Sequence, residues 1–155
     1  QMFLIYMIHL QGDDPVIALA ILLHDLYEDN RKEWPLYRIQ AEFGVEARFV
    51  VAAVSKPQMS LAKQVSAEGS RLITRRVRRG GKKAMIVKSI DRLHFFLKPF
   101  PTSDRKKLIW KVVQTMDEIQ AMALEVGILA VELELAVTAC LLKNKIVTKE
   151  LMEFA

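Results

Sequence analysis

Residues 23–30 of the chain read Leu-His-Asp-Leu-Tyr-Glu-Asp-Asn, which places four ionisable side chains at the end of an apolar segment. Residues i and i+4 of a helix share a face, so His24 and Glu28 point the same way, with Asp25 and Asp29 beside them. Such groups are costly to bury unless a cation binds them, and imidazole and carboxylate are both metal ligands. The alternative is a helix end whose acids are simply hydrated.

A second polar cluster, Asp91-Arg92-Leu93-His94, lies inside an apolar segment that is predicted to be a helix over residues 84–97. A carboxylate in such a setting needs a partner. Asp91 either forms a salt bridge with Arg92 or another cation, or it shares a metal with the first cluster. His94 lies one turn beyond Asp91, where it is either an outer partner of that metal or a hydrogen-bonded core residue.

The composition is that of a globular protein rich in helix. The chain has 155 residues, of which 52% are hydrophobic and 26% charged, and it contains only 6 Gly and 5 Pro. Helical periodicity recurs along the chain, without paired strands, internal repeats or a linker. We therefore expect one all-α domain over residues 1–155.

The cysteine content and the lack of a recognisable targeting signal predict where in the cell the protein is located. Cys140 lies in an apolar run and is predicted to be a buried structural thiol. One cysteine forms no internal disulfide, and the sequence has no transmembrane span or signal peptide. We expect a cytoplasmic protein that is not bound to a membrane.

The net charge of +5 is concentrated in one stretch. Residues 69–90 contain eight cations and no acid, so the rest of the chain sums to −3, with 15 basic against 18 acidic residues. A local positive field attracts phosphate groups. The basic run at residues 71–83 therefore indicates either phosphate binding or a solvated helix face. No aromatic residue interleaves the cations, which argues against a nucleic-acid partner.

Together, the two polar clusters resemble the HD superfamily of metal-dependent phosphohydrolases, in which a His-Asp pair and a distant Asp on helices bind one metal. His24 and Asp25 match the pair, and Asp91 matches the distant Asp. The chain is further similar to the (p)ppGpp hydrolase domain of the RelA/SpoT family. The segments that carry this resemblance, in order, are residues 23–30, 43–46 (FGVE), 54–56 (VSK), 86–94 (IVKSIDRLH), 124–128 (LEVGI) and 132–134 (ELE).

The resemblance implies an HD-type bundle of about seven to nine helices that binds Mn²⁺ through His24, Asp25 and Asp91. It assigns Glu28 and Asp29 to the attacking water and its protons. A bound metal lowers the pKa of water and neutralises charge on the phosphate under attack. The implied reaction removes pyrophosphate from the 3′ diphosphate of a guanosine nucleotide and leaves GDP or GTP.

The resemblance also predicts that Lys56 and Arg92 bind substrate phosphates, with part of the basic run as a further candidate. Phe95 departs from the family, which has at this position an Asn that contacts the nucleotide. A further His ligand and an Arg-rich loop of the family would precede Gln1. Two alternatives therefore stay open: an HD phosphohydrolase of another nucleotide, and a degenerate domain that binds a nucleotide without turnover.

Overall fold

A computed structural model describes residues 1–58, 60, 66–98 and 102–153, and these residues form helices and no strands. The expectation of an all-α fold is confirmed. In chain order the helices are α1 (Met2–Leu10), α2 (Pro15–Asp29), α3 (Leu36–Phe43), α4 (Val45–Val54), α5 (Ala67–Arg79), α6 (Gly81–Leu97), α7 (105–126), α8 (Ala130–Asn144) and α9 (Thr148–Met152).

Helix α7 is continuous but not uniform. Its first part, Arg105–Gln114, passes through a π-helical turn, Thr115–Ile119, into a last part, Gln120–Val126. Counted in this way, the described residues form nine helices, which lies within the predicted range.

Local signals explain where several helices begin and end. The carboxylate of Asp14 accepts hydrogen bonds from the backbone N–H groups of Val16 and Ile17 at 2.9 and 3.2 Å, which makes it the predicted N-cap of α2. Gly127, at φ 75°, ends α7 in the left-handed conformation that glycine adopts without strain.

Several predicted boundaries differ from the structure. The helix predicted over residues 84–97 begins at Gly81. The periodicity also predicts a helix over residues 60–79, but α5 begins at Ala67, because the side chain of Ser66 caps it by accepting a hydrogen bond from Gly69 N–H at 3.1 Å. Residues 61–65 lie outside the described residues. A last helix is predicted over residues 148–154, and α9 ends at Met152, while Phe154 lies outside the described residues.

The main core surrounds α6, which contacts α1, α2, α4, α5, α7 and α8. The middle of α6 is buried on all sides, and Val87 and Ile90 are fully inaccessible to solvent. A helix that is apolar around its whole circumference is expected at the centre of a domain. A polar side chain in the middle of α6 therefore enters the interior and needs a partner there.

A smaller cluster lies at the other end of the bundle, where Leu108 and Val112 of α7 pack against Val137 and Cys140 of α8. Cys140 is buried, as predicted, and burial raises the pKa of its thiol. In the described part of the chain, no helix is both long enough and apolar enough to cross a membrane.

Candidate active site

The imidazole of His24 is fixed by the backbone of its own helix. Its Nδ1 lies 3.1 Å from the carbonyl oxygen of Ala20 and 3.0 Å from that of Ile21, and the residue is only 3% exposed. A carbonyl oxygen only accepts hydrogen bonds, so Nδ1 carries the hydrogen, and Nε2 of the neutral ring presents a lone pair. Metal-binding histidines are held in this way by a partner of the other ring nitrogen.

Asp25 stands beside that lone pair. Its Oδ1 lies 3.2 Å from Nε2 of His24, and its side chain is 68% exposed while that of His24 is 4% exposed. Two lone pairs at this distance repel each other unless a proton or a metal ion lies between them. The end of α2 therefore provides a ready pair of ligand atoms at the surface.

Glu28, one turn further along α2, is held by Lys56 in the segment after α4. The backbone N–H of Lys56 donates to Oε1 at 2.6 Å, and its ammonium donates to Oε2 at 2.8 Å. Lys56 was predicted to bind phosphate, and here its ammonium is paired with the predicted water-activating carboxylate. Asp29, the last residue of α2, is exposed.

Asp91 of α6 has a salt bridge, as one reading of the sequence anticipated, but its partner is Lys88. The Nζ of Lys88 lies 2.8 Å from Oδ2, and the two residues share a face at spacing i, i+3. Burial acts to raise the pKa of Asp91, but the charges of Lys88 and Lys111 and the hydrogen bond from Lys88 outweigh it and hold the pKa below its ordinary value. Asp91 is therefore an ionised carboxylate within electrostatic range of His24.

The ammonium of Lys56 is the common neighbour of the predicted acids. Burial acts to lower its pKa, but the hydrogen bond to Glu28 and the charges of Glu28, Asp91 and Asp25 raise it above the ordinary value. The structure thus brings the ends of α2 and α4 and the middle of α6 to one place. These are the elements that carry the predicted site.

The donor set only partly matches that of a closed metal site. Within the described ranges, no three His, Cys, Asp or Glu side chains converge closely enough to hold a metal ion by themselves. His24 and Asp25 fit a divalent cation in chemistry and in the orientation of the ring. Asp91, the third predicted ligand, is turned to Lys88.

Arg92 was predicted to bind substrate, but the structure places its guanidinium in the packing of α6 against α7. Arg92 is 1% exposed and donates to the carbonyl of Lys111 at 2.9 Å, to the hydroxyl of Thr115 at 2.7 Å and to Oε1 of Gln114 at 2.5 Å. Burial lowers its pKa to about 10, against the opposing charges of Asp91 and Glu118. These contacts replace the predicted role with a structural one.

Lys111 is a cation near the site that the sequence motifs missed. It lies in the first part of α7, with its ammonium 4.8 Å from the ring centre of Trp110 and 5.6 Å from that of Phe95. Burial and the charges of Arg92 and Lys88 lower its pKa well below the ordinary value. The available sequence signal was a lone lysine inside the apolar run at residues 108–113.

Phe95 and His94, two other positions singled out in the sequence, have contacts within the fold. Phe95 packs edge-on against Phe96, with ring centres 5.2 Å apart, and both border the smaller core cluster. His94 is partly buried, and its Nε2 lies 3.0 Å from Oε1 of Gln1. Burial and the charge of Lys98 lower the pKa of His94.

The basic run at residues 71–83 is tied to the fold at several points. Lys83 pairs with Asp14 at 3.0 Å and with Glu46 at 2.7 Å, and Arg78 pairs with a carboxylate of α7. The exposed cations of the run are Arg71, Arg75, Arg78, Arg79 and Lys82. Part of the predicted phosphate-binding charge is therefore used in stabilising the bundle.

Comparisons with protein-family models, with curated proteins and with solved structures found no match. The geometry of the site is therefore the basis for any functional assignment. That geometry combines an imidazole with a free Nε2, several carboxylates and three lysines, of which Lys88 is buried, and it suits binding of a cation together with a phosphorylated ligand.

Proposed function

We propose that the protein is a metal-dependent phosphohydrolase of the HD type that acts on the 3′ diphosphate of a guanosine nucleotide such as ppGpp. The observation that carries this proposal is the pair formed by His24 Nε2 and Asp25 Oδ1, 3.2 Å apart at the end of α2. The other ring nitrogen, Nδ1, uses its hydrogen in hydrogen bonds to backbone carbonyl oxygens. His24 Nε2 and Asp25 Oδ1 are left, and both atoms bind divalent metal ions well.

In the proposed site, His24, Asp25 and Asp91 would hold Mn²⁺, which would supply Lewis acidity to the attacking water and positive charge to the phosphate. Glu28 accepts the proton from the attacking water, and Asp29 at the exposed helix end passes it to solvent. The oxygen of the water bonds to phosphorus, the bond from phosphorus to the 3′ oxygen breaks, and that oxygen is protonated. The products are pyrophosphate and GDP or GTP.

Two carboxylates of the site are paired with lysines. Lys56 pairs with Glu28, and Lys88 pairs with Asp91. When Asp91 binds a metal instead, the ammonium of Lys88 becomes available to an anion. Lys56, whose side chain is 52% exposed, can likewise turn from Glu28 to a phosphate. The same cations then serve the nucleotide.

A second candidate function is nucleotide binding without turnover. The two lysine–carboxylate pairs favour it, because they neutralise the site without any metal. A third, hydrolysis of a different nucleotide, is favoured by Phe95, whose ring lies in the packing beside Phe96 and offers no amide to a base or ribose. In each case the partner is a nucleotide, and the single buried Cys140 fits a cytoplasmic setting.

Pyrophosphate release from ppGpp by the full chain with Mn²⁺ tests the proposal. Glu28→Gln is the informative variant, and Glu33→Gln, at an exposed position outside the site, is its matched control. Mn²⁺-dependent turnover that only Glu28→Gln loses supports the enzyme. If Mn²⁺ binds and pyrophosphate is released from another nucleotide but not from ppGpp, the protein hydrolyses a different substrate. Nucleotide binding in the absence of any Mn²⁺ binding contradicts the phosphohydrolase and supports the second candidate.

A further inference from the structure

A polar cavity of about 240 Å³ lies between the first turns of α5 and the middle of α7. None of the residues that line it belongs to the candidate active site. The polar side chains in its wall are Ser70, Arg71, Trp110, Gln114, Asp117 and Glu118. A single water needs only about 10–15 Å³ by a comparable measure, and drug-sized ligands take pockets of about 300–1,000 Å³. The cavity therefore suits a small polar molecule.

Two nitrogen donors in this wall have no hydrogen-bond partner among the described residues. Trp110 Nε1 and Gln114 Nε2 are among the few buried side-chain polar atoms without a hydrogen bond in the part of the chain that the structure describes. Trp110 is 7% exposed and Gln114 is 3% exposed. The two residues lie at spacing i, i+4 and so share one face of α7. Buried donors of this kind require an acceptor.

The orientation of the Gln114 amide is fixed. Its Oε1 accepts a hydrogen bond from Nη2 of Arg92 at 2.5 Å, and a guanidinium only donates. The Nε2 group is therefore the unpaired end of an amide that lines the cavity. The indole N–H of Trp110, one turn earlier on the same helix face, is a second unpaired donor in this wall.

The next turn of α7 brings negative charge to the same cavity. Asp117 and Glu118 both line it, and Arg71 of α5 is the one cation among the described lining residues. Glu118 also accepts a hydrogen bond from the hydroxyl of Thr74, and burial together with the charge of Asp117 raises its pKa. Two carboxylates against one guanidinium disfavour a phosphate group, which carries more than one negative charge.

A flat nucleobase is also disfavoured. Bases are usually bound on an open aromatic face. Among the described residues of the cavity wall, the one aromatic residue is Trp110, which is buried, and Lys111 places its ammonium 4.8 Å from the centre of that ring. The remaining chemistry is a small molecule with an anionic acceptor group at one end and a cationic donor group at the other.

We propose that this cavity binds a free α-amino acid in its zwitterionic form. The ligand carboxylate accepts hydrogen bonds from Trp110 Nε1 and Gln114 Nε2, with the charge of Arg71 nearby. The ligand ammonium pairs with Asp117 and Glu118. The site is independent of the proposed hydrolase activity, so its test needs neither a metal nor a nucleotide.

The indole N–H signals of the chain provide the readout. The sequence has 2 Trp residues, Trp34 and Trp110, so a ¹H–¹⁵N NMR spectrum contains two indole signals, which Trp34→Phe assigns. Each of the twenty common amino acids is titrated separately into the full chain. We expect at least one to move the Trp110 signal saturably and to leave that of Trp34 in place.

Gln114→Glu sharpens the test, because a carboxylate keeps an acceptor for Arg92 but replaces the free donor with a like charge. We expect at least tenfold weaker binding in this variant and in Asp117→Asn, and unchanged binding in Gln40→Glu, an exposed control on α3. Equal thermal midpoints in the absence of ligand establish that the variants fold.

Three results would overturn the proposal. The first is that no amino acid moves the Trp110 signal. The second is that the amino acid binds Gln114→Glu as tightly as the original chain. The third is that inorganic phosphate or guanosine, used as probes, moves the Trp110 signal while the amino acids do not.

Discussion

Glu28 and Lys56 are joined by two hydrogen bonds of different kinds. The backbone N–H of Lys56 donates to Oε1 at 2.6 Å, and the flexible ammonium donates to Oε2 at 2.8 Å. The Glu28 side chain is 11% exposed, whereas that of Lys56 is 52% exposed. The backbone bond therefore positions the carboxylate, and the proposed transfer of the ammonium from Glu28 to a phosphate would leave that bond in place.

This division of roles predicts different kinetic effects at the two positions. Lys56→Gln removes a charged phosphate ligand but keeps the backbone bond, so we expect KM for the nucleotide to rise by about tenfold or more. We expect a much smaller change in kcat. Glu28→Gln removes the proposed general base, so we expect kcat to fall by about 10²–10⁴-fold. Steady-state pyrophosphate release measures both variants.

Lys32→Gln, at an exposed position in the turn after α2, is the matched control for Lys56→Gln and should leave KM unchanged. An unchanged KM in Lys56→Gln would show that the ammonium serves only the fold.

The fixed ring of His24 predicts selective loss of metal affinity. His24→Ala removes the lone pair beside Asp25, so we expect Mn²⁺ affinity to fall by more than about 100-fold, beyond the effect of losing an outer partner. Titration of Mn²⁺, followed by the EPR signal of the unbound ion, gives the dissociation constant. His9→Ala is the control, since His9 contacts Glu132 outside the site. Equal losses in the two variants would contradict the assignment.

Asp14 links the cap of α2 to the acid stability of the fold. Burial acts to raise its pKa, but the ion pair with Lys83 and the N–H groups of Ile17 and Val16 outweigh it and lower the pKa. A carboxylate with a lowered pKa contributes stability that is fully present above its unfolded pKa of about 4. That contribution is lost as the pH falls through the folded-state pKa.

Two substitutions separate the cap of α2 from the charge. Asp14→Ala should lower the free energy of unfolding at pH 7 by about 1 kcal/mol or more, because the N-cap is lost. Asp14→Asn keeps a capping oxygen, so we expect a smaller loss and a flatter dependence of stability on pH below about 4. Urea unfolding at pH 7 and pH 3 distinguishes the two. Identical acid slopes for Asp14→Asn and the original chain would contradict this account.

The helices could largely be predicted because their end signals are local. Asp14 with Pro15 marks the start of α2, and Gly127 ends α7 where the sequence indicated. The π-helical turn of α7 was not predicted. It begins at Thr115, whose hydroxyl accepts from Arg92 of α6, so it coincides with a contact between helices that are distant in sequence. The periodicity of a single helix contains no information about such a contact.

The motif directed attention to Asp91, and the structure supplies its partner. The carboxylate is partly buried and pairs with Lys88, three residues earlier and on the same face of α6. Arg92, the next residue, lies about 100° around the helix and therefore points to α7. Helical periodicity alone could have made this distinction. Lys111 reaches the same region from α7, and only the packing of the two helices reveals it.

Lys111 is expected to affect stability and ligand binding in opposite ways. Burial and the neighbouring charges of Arg92, Lys88 and Lys56 lower its pKa, with Asp91 as the opposing acid. A protonated lysine held among cations destabilises the folded state, whereas an incoming phosphate would relieve the repulsion. Residues of this kind are retained for binding at the expense of stability.

Lys111→Met should therefore change stability and nucleotide affinity in opposite directions. We expect the free energy of unfolding at pH 7 to rise by about 1 kcal/mol or more, because an apolar chain of similar length replaces a buried ion, while nucleotide affinity falls. A lysine whose folded-state pKa is lowered also makes stability rise with pH, from that pKa up to its unfolded value of about 10.4. The substitution should remove this rise. Urea unfolding across this range and equilibrium nucleotide binding measure the two effects, with Lys106→Met on the exposed side of α7 as the control. A less stable Lys111→Met variant would mean that the ammonium already has a stabilising partner in the free protein.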